Sequence, residues 1–130
     1  MRQLSGDILQ FDILIHSTDA LLDNQCYESL LRVCASGIVA YAEASPSCCE
    51  YSRLKLRPSG PPALRTPEFL HGRPDLTSAQ LLRVQESSIM LERCIICIRL
   101  GTSSGGHGHL EQPASAMSWD ELCPPPAGDL

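Results

Sequence analysis

The chain has 130 residues, enough for one small domain with a single hydrophobic core. Hydrophobic residues make up 43% of it and charged residues 19%, and this balance excludes a highly charged, disordered chain. The formal net charge is −5, without the dense Lys/Arg face that is typical of phosphate-binding surfaces. One local basic stretch contains Arg53, Lys55, Arg57 and Arg65. Solvated loop charge is favoured for this stretch over contact with phosphate.

The amino-terminal segment argues against secretion. Its apolar part carries Asp7 and Asp12 and is followed by no small-residue cleavage pattern, unlike a signal peptide. No apolar run approaches the roughly 18 residues of a membrane-spanning helix. We therefore expect an intracellular protein, nuclear or cytoplasmic, without a membrane partner. In such a reducing compartment free thiols are the default for the seven cysteines, Cys26, Cys34, Cys48, Cys49, Cys94, Cys97 and Cys123.

The first half of the chain predicts a strand, a helix and a second strand. The apolar, β-branched run near residues 9–16 is typical of a buried strand. Apolar residues then recur at helical spacing near residues 24–35, where Asp23 or Asn24 can cap the helix and Gly37 can end it. A second strand is predicted near residues 38–45. Strand, helix and strand in this order form the unit that builds a parallel sheet.

The second half predicts a long loop, a long helix and a third strand. Five prolines and two glycines between residues 57 and 74 exclude regular structure there, and we call residues 57–74 the Pro-rich loop. A helix is predicted near residues 77–101, with Thr77 or Ser78 as its cap and glycines from Gly101 onward breaking it. A strand near residues 107–112 follows. The tail of residues 120–130 contains three consecutive prolines and is expected to be disordered.

The spacing of Cys94 and Cys97 leaves two interpretations open. A zinc site is geometrically conceivable with His107 and His109, since alternate residues of a strand point the same way. Packing inside the apolar helix is favoured, because no second ligand pair with suitable spacing follows. We expect no metal.

The peptide ASPSCCEYS, residues 44–52, follows a predicted parallel strand, where open α/β sheets place their ligands. It resembles the nucleophile motif of cytosine-C5 DNA methyltransferases, in which Pro-Cys precedes a polar residue, a variable one, an aromatic and a serine. The peptide GGHGHLEQP, residues 105–113, is similar to the family segment that carries the catalytic glutamate. On this resemblance Cys48 is the nucleophile, Glu111 the catalytic carboxylate, and Ser52 the third motif residue.

The resemblance implies a partial Rossmann-like, methyltransferase-type, three-layer α/β sandwich over residues 1–119. It implies attack of the Cys48 thiolate on C6 of a cytosine flipped out of DNA, with the Glu111 carboxyl beside N3. It also implies S-adenosylmethionine as cofactor, with Asp19 and Pro46 as contacts, although capping of the nearby loop is the favoured role for Asp19. We expect the side chains of Cys48 and Glu111 to face one cleft, with the Pro-rich loop near the same edge.

The sequence departs from the family pattern at several positions. Ser47 replaces the motif proline, Cys49 replaces the usual glutamine, and Gln112 follows the glutamate in place of asparagine. No Gly-rich cofactor turn precedes residue 10, and neither the later basic motif nor a target-recognition region follows Glu111, so we expect a fragment that is inactive alone. Three alternatives remain: a non-catalytic interaction module that uses the long helix, a zinc-stabilised small domain, and a decayed gene fragment.

Overall fold

The computed structural model describes residues 21–123. The strand expected near residues 9–16, Asp19 and the end of the tail from residue 124 lie outside this range. The described chain forms three helices, two strands and two short 3-10 turns. In chain order they are α1 (Asn24–Ala35), β1 (Tyr41–Ala44), the turns Cys49–Tyr51 and Arg53–Leu56, α2 (Ser78–Ser103), β2 (His107–Leu110) and α3 (Ser118–Leu122). No helix in this part of the chain is long and apolar enough to cross a membrane.

Strands β1 and β2 pair in parallel, with Tyr41 opposite His107 and Ala44 opposite Leu110. Helix α2 lies between them in the chain and packs against both strands and against α1. A parallel pair needs such a crossover, because the chain has to return to the same end of the sheet. The predicted α/β class and the parallel pairing are therefore confirmed, as a small α/β fold with a two-stranded sheet in residues 21–123.

Local signals set the helix boundaries where they were predicted. The Asp23 carboxylate accepts a hydrogen bond from the Cys26 backbone N–H at 2.9 Å and caps α1. Thr77 and Gln80 form a reciprocal capping box at the start of α2: the Thr77 hydroxyl accepts from the Gln80 N–H, and the Gln80 side chain accepts from the Thr77 N–H. Gly37, with φ of +81°, follows the end of α1 as expected.

Helix α2 does not break at Gly101, contrary to the prediction. It continues to Ser103, and Gly101 is buried inside it. A Cβ at Gly101 would lie 3.7 Å from the Ala42 Cβ, so the small residue lets the last turn of the helix lie close against β1. Gly108 on β2 meets the same helix: a Cβ there would lie only 2.4 Å from Ile98 Cγ2. Glycine at 108 is therefore needed for the contact between sheet and helix.

The core lies between α2, the first 3-10 turn and α3. Its buried cluster contains Tyr51, Leu91, Ala116 and Met117, against which Leu70, Ile95, Leu110, Trp119 and Leu122 pack. The Pro-rich loop has neither helix nor strand, as predicted, but it contributes to this interior, since Ala63, Leu64 and Arg65 are all buried. The interior thus extends well beyond the face of the small sheet.

Two expectations about charged or terminal residues are wrong. Arg65 is fully buried and does not belong to a solvated basic stretch. Its guanidinium donates hydrogen bonds to the Leu70 and Val84 carbonyl oxygens and to the hydroxyls of Ser87 and Ser88. Residues 120–122 belong to α3, where an irregular tail was expected, because the helix packs Trp119 and Leu122 onto the core.

Candidate active site

The two strands end side by side, and the residues that follow them meet. The ladder continues one step past the strands, where the Glu111 N–H donates to the Ala44 carbonyl oxygen at 2.9 Å. The Ser45 hydroxyl then donates to the Glu111 carboxylate at 2.9 Å. Parallel pairing therefore joins residues 66 positions apart in the chain and fixes the direction of the Glu111 side chain.

A cavity of about 420 Å³ opens at this carboxyl edge of the sheet. Its lining includes Pro46, Ser47, Cys48, Cys49, Glu111 and Gln112. Cys48 and Glu111 thus share one cavity, as the expected geometry requires. Pro46, assigned to the cofactor by resemblance, belongs to the same wall.

Cys48 lies where the chain turns away from the sheet. The Tyr51 N–H donates to the Cys48 carbonyl oxygen at 2.9 Å and closes a 3-10 turn, whose first residue, Cys49, is exposed. Cys48 itself is half-buried. The thiol of Cys48 is therefore held on a short, hydrogen-bonded turn at the cavity wall.

Tyr51 anchors this turn to the core. Its ring is 1% exposed, the Arg65 guanidinium lies 4.1 Å from the ring centroid, and its hydroxyl donates to the Glu121 carboxylate at 2.9 Å. Burial raises the pKa of Tyr51 to about 12, and the Glu121 carboxylate makes a smaller contribution in the same direction. The phenol therefore remains a neutral donor at physiological pH. The Pro-rich loop reaches the Cys48 turn through this contact between Arg65 and Tyr51.

Glu50 is a buried carboxylate at the same turn. One oxygen accepts a hydrogen bond from Arg83 on α2, and the other lies 3.2 Å from the Lys55 Nζ. The second oxygen gains an ion pair but no well-directed hydrogen bond. Two cations around one carboxylate tie the turn to α2, so Glu50 has a structural role.

Gln112 makes two hydrogen bonds at this site that the sequence did not indicate. Its amide N–H donates to the Pro46 carbonyl oxygen, and its own carbonyl accepts from the Ser118 hydroxyl at 3.1 Å. The residue after Glu111 therefore links the Cys48 loop to α3. An amide at this position was visible in the sequence, but its partners lie 66 and 6 residues away and carry no local signal.

Ser52 does not reach the cavity lining. Its hydroxyl accepts a hydrogen bond from the Leu54 N–H at 3.3 Å and caps the second 3-10 turn. Asp19, the other residue assigned to the cofactor, lies outside the described residues. Of the site residues expected from the sequence, the structure therefore brings together Cys48, Glu111 and Pro46.

The Cys94 and Cys97 pair is buried in α2, as the packing interpretation predicts. Burial raises the pKa of the Cys94 thiol to about 11 and that of Cys97 to about 12. Thiols held neutral in this way are poor nucleophiles at physiological pH. His107 and His109 are exposed on β2, and residues 21–123 contain no cluster of three potential metal-ligating side chains.

Comparison with known proteins found no matching family model and no significant match among curated proteins or solved structures.

Proposed function

We propose that Cys48 and Glu111 form the base-attacking part of a DNA cytosine-C5 methyltransferase-like site. The observation that carries the proposal is that a half-buried thiol and a carboxylate share one cavity at the carboxyl ends of two adjacent parallel strands. Open α/β sheets bind ligands at this edge. The chain order of nucleophile, long helix, strand and glutamate also agrees with the motif resemblance.

The proposed step is addition of the Cys48 thiolate to C6 of cytosine. The C6–S bond forms, the 5,6 double bond opens, and the electron pair moves into the ring toward N3. A protonated Glu111 carboxyl can give its proton to N3, and the ionised form can accept a hydrogen bond from the exocyclic amine. The hydrogen bond from Ser45 holds one Glu111 oxygen and leaves the other for the base.

S-adenosylmethionine would supply the methyl group to the activated C5. Of the residues assigned to it, only Pro46 lies in the described chain, and a proline side chain offers neither charge nor a hydrogen bond to a cofactor. The proposal for this chain is limited to attack on the base.

The decisive experiment separates that attack from methyl transfer. A short single-stranded oligonucleotide containing 5-azacytosine accepts a thiol at C6 while N5 takes up a proton, so it needs no methyl donor. We expect a covalent adduct on a denaturing gel with the unmodified protein and with Cys49→Ser, and no adduct with Cys48→Ser. The absence of any adduct, or equal adducts in all three proteins, overturns the proposal.

Methyl transfer by these 130 residues alone is not expected. The net charge is −5, and three cations close to the Cys48 turn, Arg53, Lys55 and Arg83, are paired with carboxylates. Little free charge therefore remains beside Cys48 to hold the backbone of a DNA duplex at this site. Radiolabelled methyl incorporation into duplex DNA should equal the background of a Cys48→Ser control, and incorporation that this substitution removes would show that the chain suffices for catalysis.

A non-catalytic interaction module is the second candidate, and the surface of α2 favours it. Leu81, Leu82 and Ile89 are 41%, 54% and 39% exposed on this helix. Exposed apolar side chains on one helix suit contact with another helix. Concentration-dependent association in sedimentation experiments, weakened by Leu82→Glu and retained in Cys48→Ser, would support this function over the first.

A further inference from the structure

A second cavity is lined by the start of the Pro-rich loop and shares no lining residue with the Cys48 site. It has a volume of about 330 Å³, and its lining includes Lys55, Arg57, Thr66 and Arg73. None of the acidic residues between 21 and 123 lines it. Residues 18 positions apart thus place three cations around one concave surface, which the sequence pattern did not show.

The charges of these cations are only partly neutralised. Lys55 shares Glu50 with Arg83, so one carboxylate faces two cations. Arg73 is paired with Asp75 at 2.5 Å. Arg57 makes no ion pair or side-chain hydrogen bond with any residue between 21 and 123. The wall therefore retains positive charge in a protein whose overall charge is negative.

Hydrogen-bond donors remain free to meet a ligand. A guanidinium has five N–H donors. Arg73 uses one of them in the hydrogen bond to Asp75 and a second in a long hydrogen bond, of 3.5 Å, to the Ala63 carbonyl oxygen. The Thr66 hydroxyl accepts from the Phe69 N–H at 3.2 Å, which leaves its own O–H available. Two guanidinium groups and one ammonium group offer more donors than a carboxylate ligand can accept. The several oxygens of a phosphate group are a better match for them.

The backbone around these side chains is held in place. The Gly60 N–H donates to the Arg57 carbonyl at 3.2 Å, and the Arg73 N–H donates to the Leu64 carbonyl at 3.0 Å. Pro58 and Pro62 restrict the intervening segment. A preorganised wall loses less entropy when it binds a ligand.

We propose that this cavity, between Lys55, Arg57 and Arg73, binds a phosphate group. The group can belong to a small phosphate or diphosphate ligand or to the backbone of a nucleic acid, because both present the same oxygens. The site does not depend on the attack by Cys48, and failure of the azacytosine experiment leaves it intact.

Isothermal titration with inorganic pyrophosphate at low salt tests the proposal, with a short DNA duplex as the second ligand. Arg57→Gln should weaken binding at least about tenfold, because it removes charge-assisted hydrogen bonds. Arg99→Gln is the matched control, since it removes the same charge from an exposed position on α2 outside the cavity.

The two ligands separate the sources of the phosphate. Pyrophosphate binding that depends on Arg57 assigns a small phosphate ligand, and binding of DNA alone with the same dependence assigns a polymer backbone. No saturable binding of either ligand overturns the proposal. Equal weakening by Arg57→Gln and Arg99→Gln also overturns it, because the effect would then reflect net charge and not a site.

Discussion

Two pairs of cysteines in this chain have opposite environments. Cys48 and Cys49 lie on a short turn at a cavity wall, half-buried and exposed, whereas Cys94 and Cys97 are buried in the helix α2. Cys34, on α1, is buried as well, and burial raises the pKa of its thiol. The residue type is the same in both regions, so chemistry at cysteine is decided by the water and charge around the sulfur.

The largest expected effect concerns the anchor of the Cys48 turn. Tyr51→Ala removes a fully buried ring together with its contacts to Arg65 and Glu121. We expect a loss of about 3–5 kcal/mol in the free energy of unfolding, measured by urea denaturation. Tyr41→Ala is the control, because Tyr41 is 57% exposed and its loss should change stability by less than about 0.5 kcal/mol. Equal effects would mean that Tyr51 does not anchor the turn.

Alkylation of thiols in the native protein compares the two regions directly. Iodoacetamide should modify exposed Cys49 at least about a hundredfold faster than Cys94, since the buried thiol reacts only after the structure opens. Mass spectrometry of peptides from a time course measures both rates, and urea should remove the difference. Similar rates for Cys49 and Cys94 in the native protein would contradict the burial of the Cys94 thiol in α2.

Replacement of single thiols sharpens the same contrast. Cys94→Ser puts a hydroxyl into a buried apolar site and should cost about 1–3 kcal/mol of stability. Cys49→Ser, on the surface, should change stability by less than about 0.5 kcal/mol. Thermal unfolding of both variants checks the difference, and a neutral Cys94→Ser would show that its sulfur does not pack in the interior.

The smallest effect is a pH dependence. The Cys94 thiol has a pKa of about 11 in the folded chain and 9.0 in an unfolded one, so the unfolded state releases its proton first as pH rises. The stabilisation is present below pH 9 and is lost between about pH 9 and about pH 11. With Cys94→Ala, the free energy of unfolding should decrease less steeply as the pH rises through this range. An unchanged slope would mean that the decrease comes from other groups, such as Tyr51.

Part of the candidate site follows from sequence, because it depends on strand direction alone. A strand-helix-strand order favours parallel pairing, and parallel pairing brings the residues after both strands to one edge. Cys48 and Glu111 therefore share a cavity as expected from their positions. Ser52 was expected at the site from its place in the motif, but motif spacing does not report side-chain direction, and its hydroxyl caps a turn instead.

The sequence by itself determined the elements whose signals are local. Asp23, Thr77 with Gln80, and Gly37 act on backbone groups within a few residues, and they set the helix ends where the pattern placed them. Only the tertiary structure decided the fate of the charged and polar residues. Arg65 entered the core because Val84, Ser87 and Ser88, which bind its guanidinium, lie on α2, and the path of the Pro-rich loop brought Arg73 to the same cavity as Lys55 and Arg57. Such contacts depend on how helices and loops pack over long chain distances, and residue spacing carries no record of that packing.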